Sequence, residues 1–348
     1  MIHTDALVIG AGPVGLFTVF QLGLQGIAAQ LVDVLDEPGG QCAALYPDKP
    51  IYDIPGVPVC SGRELTQNLL RQIAPFSPGC HWAQLVSSLA PQADGRWLVT
   101  TERNNQPCQQ FLARTVVVAA GVGAFVPKEL KLDGLGAFLG QQLLYKTPPP
   151  ELVSGKHIVV VGGEDEAVAQ AVHLAQGGQA RSITLVYRRE VLQASEAALA
   201  EFAALRAAGL IHFQAGQITG VQTDDQRLTG VTVSTPQDQT LNLPLDLLLV
   251  FQGISPKLGP VAQWGLAMER KQLTVDTATF ATNVPGIFAV GDVITYAGKK
   301  KLIVCGFHEA TLAAFGAAAL VHPEASTVLQ YTTSSALLQQ RLGVLPTP

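Results

Sequence analysis

A turn of three spaced glycines near the N-terminus is the part of the sequence with the clearest chemical capacity. Gly10, Gly12 and Gly15 follow directly on an apolar run at residues 6–9 and open a helical pattern. In a strand–turn–helix unit the first glycine permits the turn, the second lets the backbone approach a pyrophosphate, and the third packs the helix on the strand. Asp33 ends the next apolar run, where a carboxylate accepts hydrogen bonds from ribose hydroxyls. The segment therefore predicts a dinucleotide site, with an ordinary glycine turn as the alternative.

The same succession of apolar run, tight turn and helix recurs in the middle of the chain. In this second unit the turn reads Gly162, Gly163 and Glu164, and the following apolar strand pattern ends just before Arg188 and Arg189. Two such units about one domain apart predict two nucleotide-binding folds rather than one.

Length and composition agree with two domains. The chain has 348 residues, of which 48% are apolar, 14% are charged and 34 are glycine. This mixture is typical of buried parallel strands joined by turns that pack close to a ligand. A further strand pattern and a long apolar helix follow the second unit. We therefore predict an α/β protein with two Rossmann-like, three-layer domains, the second (residues 120–249) inserted into the first (residues 1–119 and 250–348).

Charge and cysteine content exclude several classes of function. The formal net charge is -5, which gives no support for nucleic-acid binding. No uninterrupted apolar stretch is long enough to span a bilayer, and the N-terminus runs into a strand without a targeting segment, so we expect a cytoplasmic protein that does not bind membranes. The five cysteines lack CxxC or zinc-like spacing and indicate neither a disulfide scaffold nor a metal site.

A predicted strand further along the chain, which ends in Gly291 and Asp292, indicates whether the first site binds FAD or NAD. Residues 286–292, Gly-Ile-Phe-Ala-Val-Gly-Asp, resemble the second FAD signature of the pyridine-nucleotide-disulfide reductase superfamily. Residues 115–121 resemble the middle signature of that superfamily, where the chain leaves the FAD domain. The resemblance implies that each chain binds one FAD and that Asp292 bonds its ribityl chain.

The resemblance narrows to the thioredoxin-reductase-type ferredoxin–NADP reductases and covers almost the whole chain. The motifs that carry it are GGQCAALYP (39–47), IYDIPG (51–56), GAFVP (123–127), LGP (258–260), WGL (264–266) and GD with TYAGK (291–299). As in that family, the second domain has no CxxC. The resemblance implies a homodimeric oxidoreductase that passes electrons between NADPH and ferredoxin or a similar carrier protein.

The family pattern also assigns residues to the flavin. Tyr46 would stack on one face of the flavin, and Tyr331 in the C-terminal tail would cover the other face in the partner subunit; ordinary packing is the alternative for both. The other cofactor-binding residues carried over by resemblance are Pro13, Val14, Gly40, Gln41, Gly121, Phe125 and Gly291.

The second glycine turn departs from the family pattern Gly-x-Gly-x-x-Ala. Glu164 stands at the second glycine, where it adds bulk, and with the two acidic residues that follow it competes with a phosphate for the helix N-terminus. Arg188 and Arg189 still stand where the arginines of the family grip a 2′-phosphate, while the third arginine position holds Gln193. Glu164 argues against NADPH binding and the two arginines argue for it, so the sequence does not decide whether NADPH binds.

Two cysteines support a rival hypothesis. Cys42 stands where glutathione-reductase-like enzymes place the first cysteine of a redox pair, and Cys305 precedes the helix expected beside the flavin. A disulfide between them would make the protein a pyridine-nucleotide-independent disulfide oxidoreductase with a thioredoxin-like partner. Its second site would then be empty or hold another dinucleotide, such as a second flavin. A flavoprotein sensor or scaffold is a third hypothesis.

Two polar groups near the C-terminal helix have both functional and structural interpretations. Lys299, Lys300 and Lys301 could steer an acidic electron carrier, although such a run is usually a solvated turn. His308 and Glu309 could assist proton delivery near the flavin, but a satisfied histidine and a helix-start carboxylate are the simpler interpretation.

Overall fold

The computed structural model describes residues 1–324 and 329–344, apart from the side chains of residues 124–126 and 254–256. The chain divides into two compact units, one formed by residues 1–124 and 256 onward, the other by residues 125–255. The predicted boundaries lie five and six residues earlier than these. The chain leaves the first unit later than predicted because the turn at residues 121–123 still packs there, with Gly121 beside the Gln41 amide.

Strands and helices are numbered from the N-terminus. Those of residues 1–123 are β1 (Ile2–Ile9), α1 (Pro13–Leu24), β2 (Ala29–Val32), α2 (Gln41–Ala44), β3 (Pro50–Ile51), β4 (Cys60–Ser61), α3 (Gly62–Ile73), β5 (Gly79–His81), β6 (Leu85–Pro91), β7 (Trp97–Arg103) and β8 (Gln106–Val118). Those that begin between residues 124 and 253 are β9 (Ala124–Pro127), β10 (Leu143–Leu144), β11 (His157–Val161), α4 (Asp165–Gly177), β12 (Ser182–Tyr187), α5 (Glu196–Ala207), β13 (His212–Ala215), β14 (Gln217–Asp224), β15 (Arg227–Ser234), β16 (Thr240–Pro244) and β17 (Leu247–Val250). The remaining ones are β18 (Ile254–Lys257), β19 (Met268–Glu269), β20 (Gln272–Thr274), β21 (Ile287–Ala289), β22 (Ile294–Thr295), α6 (Ile303–Val321) and α7 (Ala336–Arg341).

The sheet of the first unit brings the carboxyl ends of five parallel strands to one edge. Its order is β5-β2-β1-β8-β7-β6, and β21 also pairs with β8. β5, β2, β1, β8 and β21 run parallel, whereas β8, β7 and β6 form an antiparallel meander. The apolar centres of β1 and β8 are fully buried, as a parallel sheet covered on both faces requires. The loops after β1, β2, β8 and β21 therefore meet at one edge of the sheet, where ligands bind in open α/β sheets.

The second unit has a parallel sheet between two different layers. Its order is β10-β17-β11-β12-β13, with every pair parallel, and β14, β15 and β16 form a separate antiparallel meander. Alternate residues of β11 belong to different cores. Ile158 and Val160 pack with α4 and α5, while Val159 and Val161 pack with the meander. This arrangement of helices, sheet and meander confirms the predicted α/β class with Rossmann-like, three-layer domains.

Among the residues that the structure describes, one helix is long and apolar enough to cross a membrane by length and composition, a feature that the sequence pattern did not indicate. α6 has 19 residues, and 18 consecutive residues within it have a mean hydropathy of 1.5. Its alanine-rich face is buried against α1 and β8, and that face contains the fully buried Glu309. About a third of this apolar stretch, 33%, is buried, and a single helix that passes the test by length and composition alone is weak evidence of a membrane span.

The N-terminus of α3 is held by a complete capping box. The Ser61 hydroxyl accepts a hydrogen bond from the Glu64 amide at 3.2 Å, and the Glu64 carboxylate accepts one from the Ser61 amide at 2.8 Å. We expect Ser61→Ala to lower the free energy of unfolding by about 1 kcal/mol in urea denaturation. Ser195→Ala is the matched control, because Ser195 is the N-cap residue of α5 but its side chain makes no capping hydrogen bond. Equal losses in the two variants would contradict the cap assignment.

Candidate functional site

The turn between β1 and α1 has the geometry of a phosphate-binding loop. Gly10 has φ of 108°, and a Cβ there would overlap the backbone carbonyl of Ala119 at the end of β8. A Cβ on Gly15 would overlap the carbonyl oxygen of Gly10. Gly12 precedes α1, and neither a side-chain cap nor an acidic residue stands at its first turn. The helix N-terminus therefore presents its amides and its partial positive charge to an anion.

Asp33 lies at the carboxyl end of β2 and holds this turn in place. Its side chain accepts hydrogen bonds from the amides of Ala11 at 2.5 Å and Leu35 at 2.8 Å. Burial raises the pKa of this carboxyl group, and the backbone amides oppose that shift. Asp33 thus lies beside the glycine turn and fixes Ala11, a structural role that the sequence pattern did not indicate, while its contact with a ribose stays a prediction.

The loop before α2 packs onto the same turn. The Gly39 amide donates to the carbonyl of Ala11 at 2.9 Å. Gly40 has φ of 53°, and a Cβ there would lie 2.9 Å from the Cα of Gly12. The next side chain, Gln41, donates from Nε2 to the Asp292 carboxylate at 3.4 Å. Residues from three distant parts of the chain therefore meet at the carboxyl edge of the first sheet.

Asp292 lies in a 3-10 turn, Gly291–Val293, that follows β21. The Val14 side chain of α1 lies 3.5–3.6 Å from the position a Gly291 Cβ would take, so the first turn of α1 packs against this loop. On the other side, Gln272 Nε2 donates to the backbone carbonyls of Asp292 at 3.2 Å and Ile294 at 3.0 Å. Sequence reasoning missed Gln272, because nothing in a short strand pattern marks a glutamine that bridges to another loop.

The buried Cys42 and the partly buried Tyr46 form a hydrogen-bonded pair near Asp292. The Cys42 thiol donates to the Tyr46 hydroxyl, with 3.6 Å between Sγ and Oη. Cys42 is 1% exposed, and burial raises the pKa of its thiol. Burial also raises the pKa of the Tyr46 hydroxyl, and the hydrogen bond to Cys42 and the charges of Asp292 and Asp53 raise it further. A thiol with a raised pKa is a poor nucleophile at neutral pH. Cys42 and Cys305 are both free thiols, and this environment does not favour Cys42 as a redox cysteine.

Among the residues assigned by resemblance, Tyr331 does not join this cluster in the part of the chain that the structure describes. Tyr331 is 64% exposed on the segment that precedes α7. The Phe125 side chain lies outside the described residues. The stacking role of Tyr331 stays a prediction, because it depends on a second subunit.

The second glycine turn lies in the second unit, between β11 and α4. Gly162 has φ of 146°, and a Cβ there would overlap the carbonyl oxygen of Phe251. A Cβ on Gly163 would meet the Tyr187 ring. Both positions therefore require glycine, as a Rossmann-like turn does. Glu164 is the exposed N-cap of α4 with no capping hydrogen bond, and two acidic residues follow in the first turn.

Gln193 fills the outer side of this second turn. Its amide donates to the Gly163 carbonyl at 2.6 Å, and its side-chain oxygen accepts from the Tyr187 hydroxyl at 3.2 Å. Arg188 and Arg189 follow β12 and are exposed. Arg188 and Arg189 are thus accessible to a 2′-phosphate. Gln193 supports the turn by these hydrogen bonds and, being neutral, adds no third positive charge to the two arginines.

The structure corrects two hypotheses about the segment before and within α6. Lys299 does not belong to a solvated docking patch, because its side chain is 6% exposed and pairs with Glu309. Lys300 and Lys301 are exposed. Glu309 is 0% exposed and accepts hydrogen bonds from Gly291, Tyr296 and Lys299, so it is not placed for proton delivery. The feature of the sequence that could have indicated this hydrogen-bond network is a single acidic residue, Glu309, within a long apolar helical pattern.

The parallel sheets and the two glycine turns define a protein with two Rossmann-like, dinucleotide-binding units. The profile of the pyridine nucleotide-disulphide oxidoreductase family matches residues 4–314. The chain belongs to this family, which confirms the predicted class of enzyme, a flavin-dependent oxidoreductase.

Relatives with high identity cover almost the whole chain. It is 56% identical to a ferredoxin–NADP reductase of Paracidovorax citrulli over 99% of this chain and 97% of the relative. It is 57% identical to a ferredoxin–NADP reductase of an Acidovorax species over 98% of this chain and 96% of the relative. These similarities confirm the resemblance drawn from the motifs.

Solved structures of more distant proteins share the fold. A bacillithiol disulfide reductase from Bacillus cereus matches with a TM-score of 0.59 at 16% identity, over 91% of this chain and 99% of that protein. A thioredoxin reductase from Lactococcus lactis matches with a TM-score of 0.56 at 21% identity, over the same shares of the two chains. At these identities the likeness applies to the fold alone.

Proposed function

We propose that this protein is an FAD-dependent reductase that transfers electrons between NADP(H) and ferredoxin or a similar one-electron carrier protein. The observation that carries the proposal is the identity of 56% with a ferredoxin–NADP reductase across 99% of the chain. The disulfide oxidoreductase alternative, with a thioredoxin-like partner and an empty or flavin-filled second site, is less favoured, because Cys42 is buried and its pKa is raised.

The residues of the first unit fit an FAD molecule. Gly12 and the uncapped N-terminus of α1 would receive the pyrophosphate, and Asp33 lies where it would accept from the adenosine ribose. The hydrogen-bonded pair of Gln41 and Asp292 would hold the ribityl chain, and Tyr46 would lie on one face of the flavin. Bound FAD supplies hydride exchange with a pyridine nucleotide and single-electron transfer to a carrier.

The residues of the second unit fit NADPH in part. Gly162 and Gly163 make room for the backbone to approach a pyrophosphate, and Arg188 and Arg189 are exposed for the 2′-phosphate. Glu164 opposes the pyrophosphate by its charge and bulk. We therefore propose that the second unit binds NADPH, and that its affinity for NADPH is lower with Glu164 than it would be with glycine at that position. A homodimer in the cytoplasm, with Tyr331 over the partner's flavin, is part of the same proposal and rests on the sequence resemblance.

Anaerobic titration of the purified protein with NADPH tests the proposed function. We expect stoichiometric bleaching of the flavin absorbance band by NADPH, followed by reoxidation when oxidised ferredoxin is added. A variant with Arg188→Ala and Arg189→Ala should need about tenfold more NADPH for half-reduction, because each arginine can make a charge-assisted hydrogen bond to the 2′-phosphate, and its response to NADH should not change. A flavin that dithionite reduces but neither NADPH nor NADH bleaches would contradict the proposal.

A further inference from the structure

A buried ion pair between α6 and the loop after β21 has no role in the electron transfer proposed above. Glu309 is 0% exposed, and the Lys299 side chain that pairs with it is 6% exposed. Charges removed from water are costly unless each is paired and its remaining hydrogen-bonding capacity is satisfied. The donors that bind the Glu309 carboxylate therefore indicate its role.

Three donors converge on the Glu309 carboxylate, and all of them come from one short stretch of chain. The Gly291 amide donates to Oε2 at 2.7 Å, the Tyr296 hydroxyl donates to Oε1 at 2.8 Å, and Lys299 Nζ also donates to Oε1. Tyr296 remains a donor at neutral pH, because burial and the hydrogen bond to Glu309 raise its pKa to about 12. A single carboxylate on α6 thus ties down both ends of the loop from residue 291 to residue 299.

This loop carries Asp292, the side chain that meets Gln41 at the first dinucleotide site. Gly291, whose amide binds Glu309, is the residue directly before Asp292. Gln272 Nε2 donates to the backbone carbonyl of Asp292 at 3.2 Å. The backbone on either side of the Asp292 side chain is therefore clamped, by Glu309 through an amide and by Gln272 through a carbonyl.

We infer that Glu309, neutralised by Lys299, is a positioning residue for the flavin site: it sets the Gly291–Val293 turn and through it the Asp292 carboxylate. Glu309 is not a catalytic residue, because both of its carboxylate oxygens already accept hydrogen bonds from Gly291, Tyr296 or Lys299 and its side chain is sealed from solvent. The inference rests on the proposed function only in that FAD is the ligand of the first unit. It does not depend on NADPH or ferredoxin.

The test separates positioning from general stability by measuring FAD affinity directly. FAD is removed from the purified protein, and its dissociation constant is measured by flavin fluorescence for the wild type, Glu309→Gln, Lys299→Met and the double variant. Each single change leaves one buried charge without its partner, so we expect each to weaken FAD binding by about tenfold. The double variant removes both charges and keeps an acceptor at position 309, so its affinity should return to within about threefold of wild type. Lys300→Met, an exposed neighbour, should not change the affinity.

A second readout asks whether Glu309 acts through Asp292. If it does, Glu309→Gln should have little further effect on FAD affinity in an Asp292→Asn background, because the group it positions is already impaired. Additive losses, or single variants whose thermal midpoint falls while the FAD dissociation constant stays within twofold of wild type, would overturn the positioning role and leave the proposed function intact. A wild-type chain that binds no FAD would overturn both, whereas a chain that binds FAD but is not reduced by NADPH would overturn only the proposed function.

Discussion

Replacing Gly15 by alanine is expected to lower the affinity for FAD by about a hundredfold, the upper end of the ~1–3 kcal/mol that overpacking costs. Gly15 lies in the first turn of α1, and its added Cβ would overlap the carbonyl oxygen of Gly10 and touch the Ala119 side chain. The overlapped atom is backbone, so no side chain can rotate away. The helix must then move off β1, which displaces the N-terminus that receives the pyrophosphate. The measurement is the flavin-to-protein ratio after gel filtration, with the dissociation constant from flavin fluorescence.

Gly177→Ala is the matched control for that prediction. Gly177 also lies in a helix, at the end of α4, but an added Cβ there would meet no atom within 4 Å. This substitution should leave FAD binding unchanged and stabilise the helix slightly, because alanine is the better helix former. Full flavin occupancy in Gly15→Ala would show that α1 tolerates the extra carbon and that the third glycine is not required for close packing.

Replacing Glu164 by glycine is expected to tighten NADP⁺ binding by about tenfold, equivalent to ~1.4 kcal/mol. Glu164 stands at the N-cap of α4 with φ of -99°, a conformation that glycine adopts freely, so the change introduces no strain. It removes a carboxylate from the place where the helix amides and partial positive charge would receive a pyrophosphate. Glycine is also an acceptable N-cap, so α4 should remain intact. Calorimetric titration with NADP⁺, which does not reduce or oxidise the resting flavin, gives the affinity.

Two further variants divide the effect of Glu164 into charge and bulk. Glu164→Gln keeps the size and removes the charge, so we expect it to recover part of the gain. Glu196→Gln removes an exposed carboxylate from the first turn of α5, which has no glycine turn before it, and should not affect NADP⁺ binding. If Glu164→Gly and the wild type bind NADP⁺ equally, the pyrophosphate does not approach this turn.

The glycine turns could be predicted because their chemistry depends on residues next to one another. Gly10, Gly12 and Gly15 lie within one strand–turn–helix unit. The positive φ of Gly10 and the missing Cβ of Gly10 and Gly15 are required by backbone atoms of that unit and of the residue that follows the neighbouring strand. The same reasoning holds for Gly162 and Gly163 in the second unit. In both places the spacing of the glycines, read with the apolar run before them, was sufficient to place the turn.

The role of Lys299 could not be predicted in this way. Three consecutive lysines have the pattern of a solvated turn, and two of them, Lys300 and Lys301, are indeed exposed. Lys299 is buried because Glu309, ten residues later on α6, offers a carboxylate inside the unit. A sequence pattern reports the average environment of a residue type, whereas burial of one particular charge depends on a partner that the fold brings to it.

The sequence by itself determined the two strand–turn–helix units, the requirement for glycine at their turns and the unusual charge at Glu164, because each is a property of a short continuous segment. Only the tertiary structure decided which side chains meet at the carboxyl edge of the first sheet. Gln41 and Asp292 are 251 residues apart and come together because the loops after β2 and β21 end at the same edge. Glu309 controls the Gly291 turn for the same reason, since α6 packs beside that edge. Such contacts depend on strand order, and strand order is a global property of the folded chain.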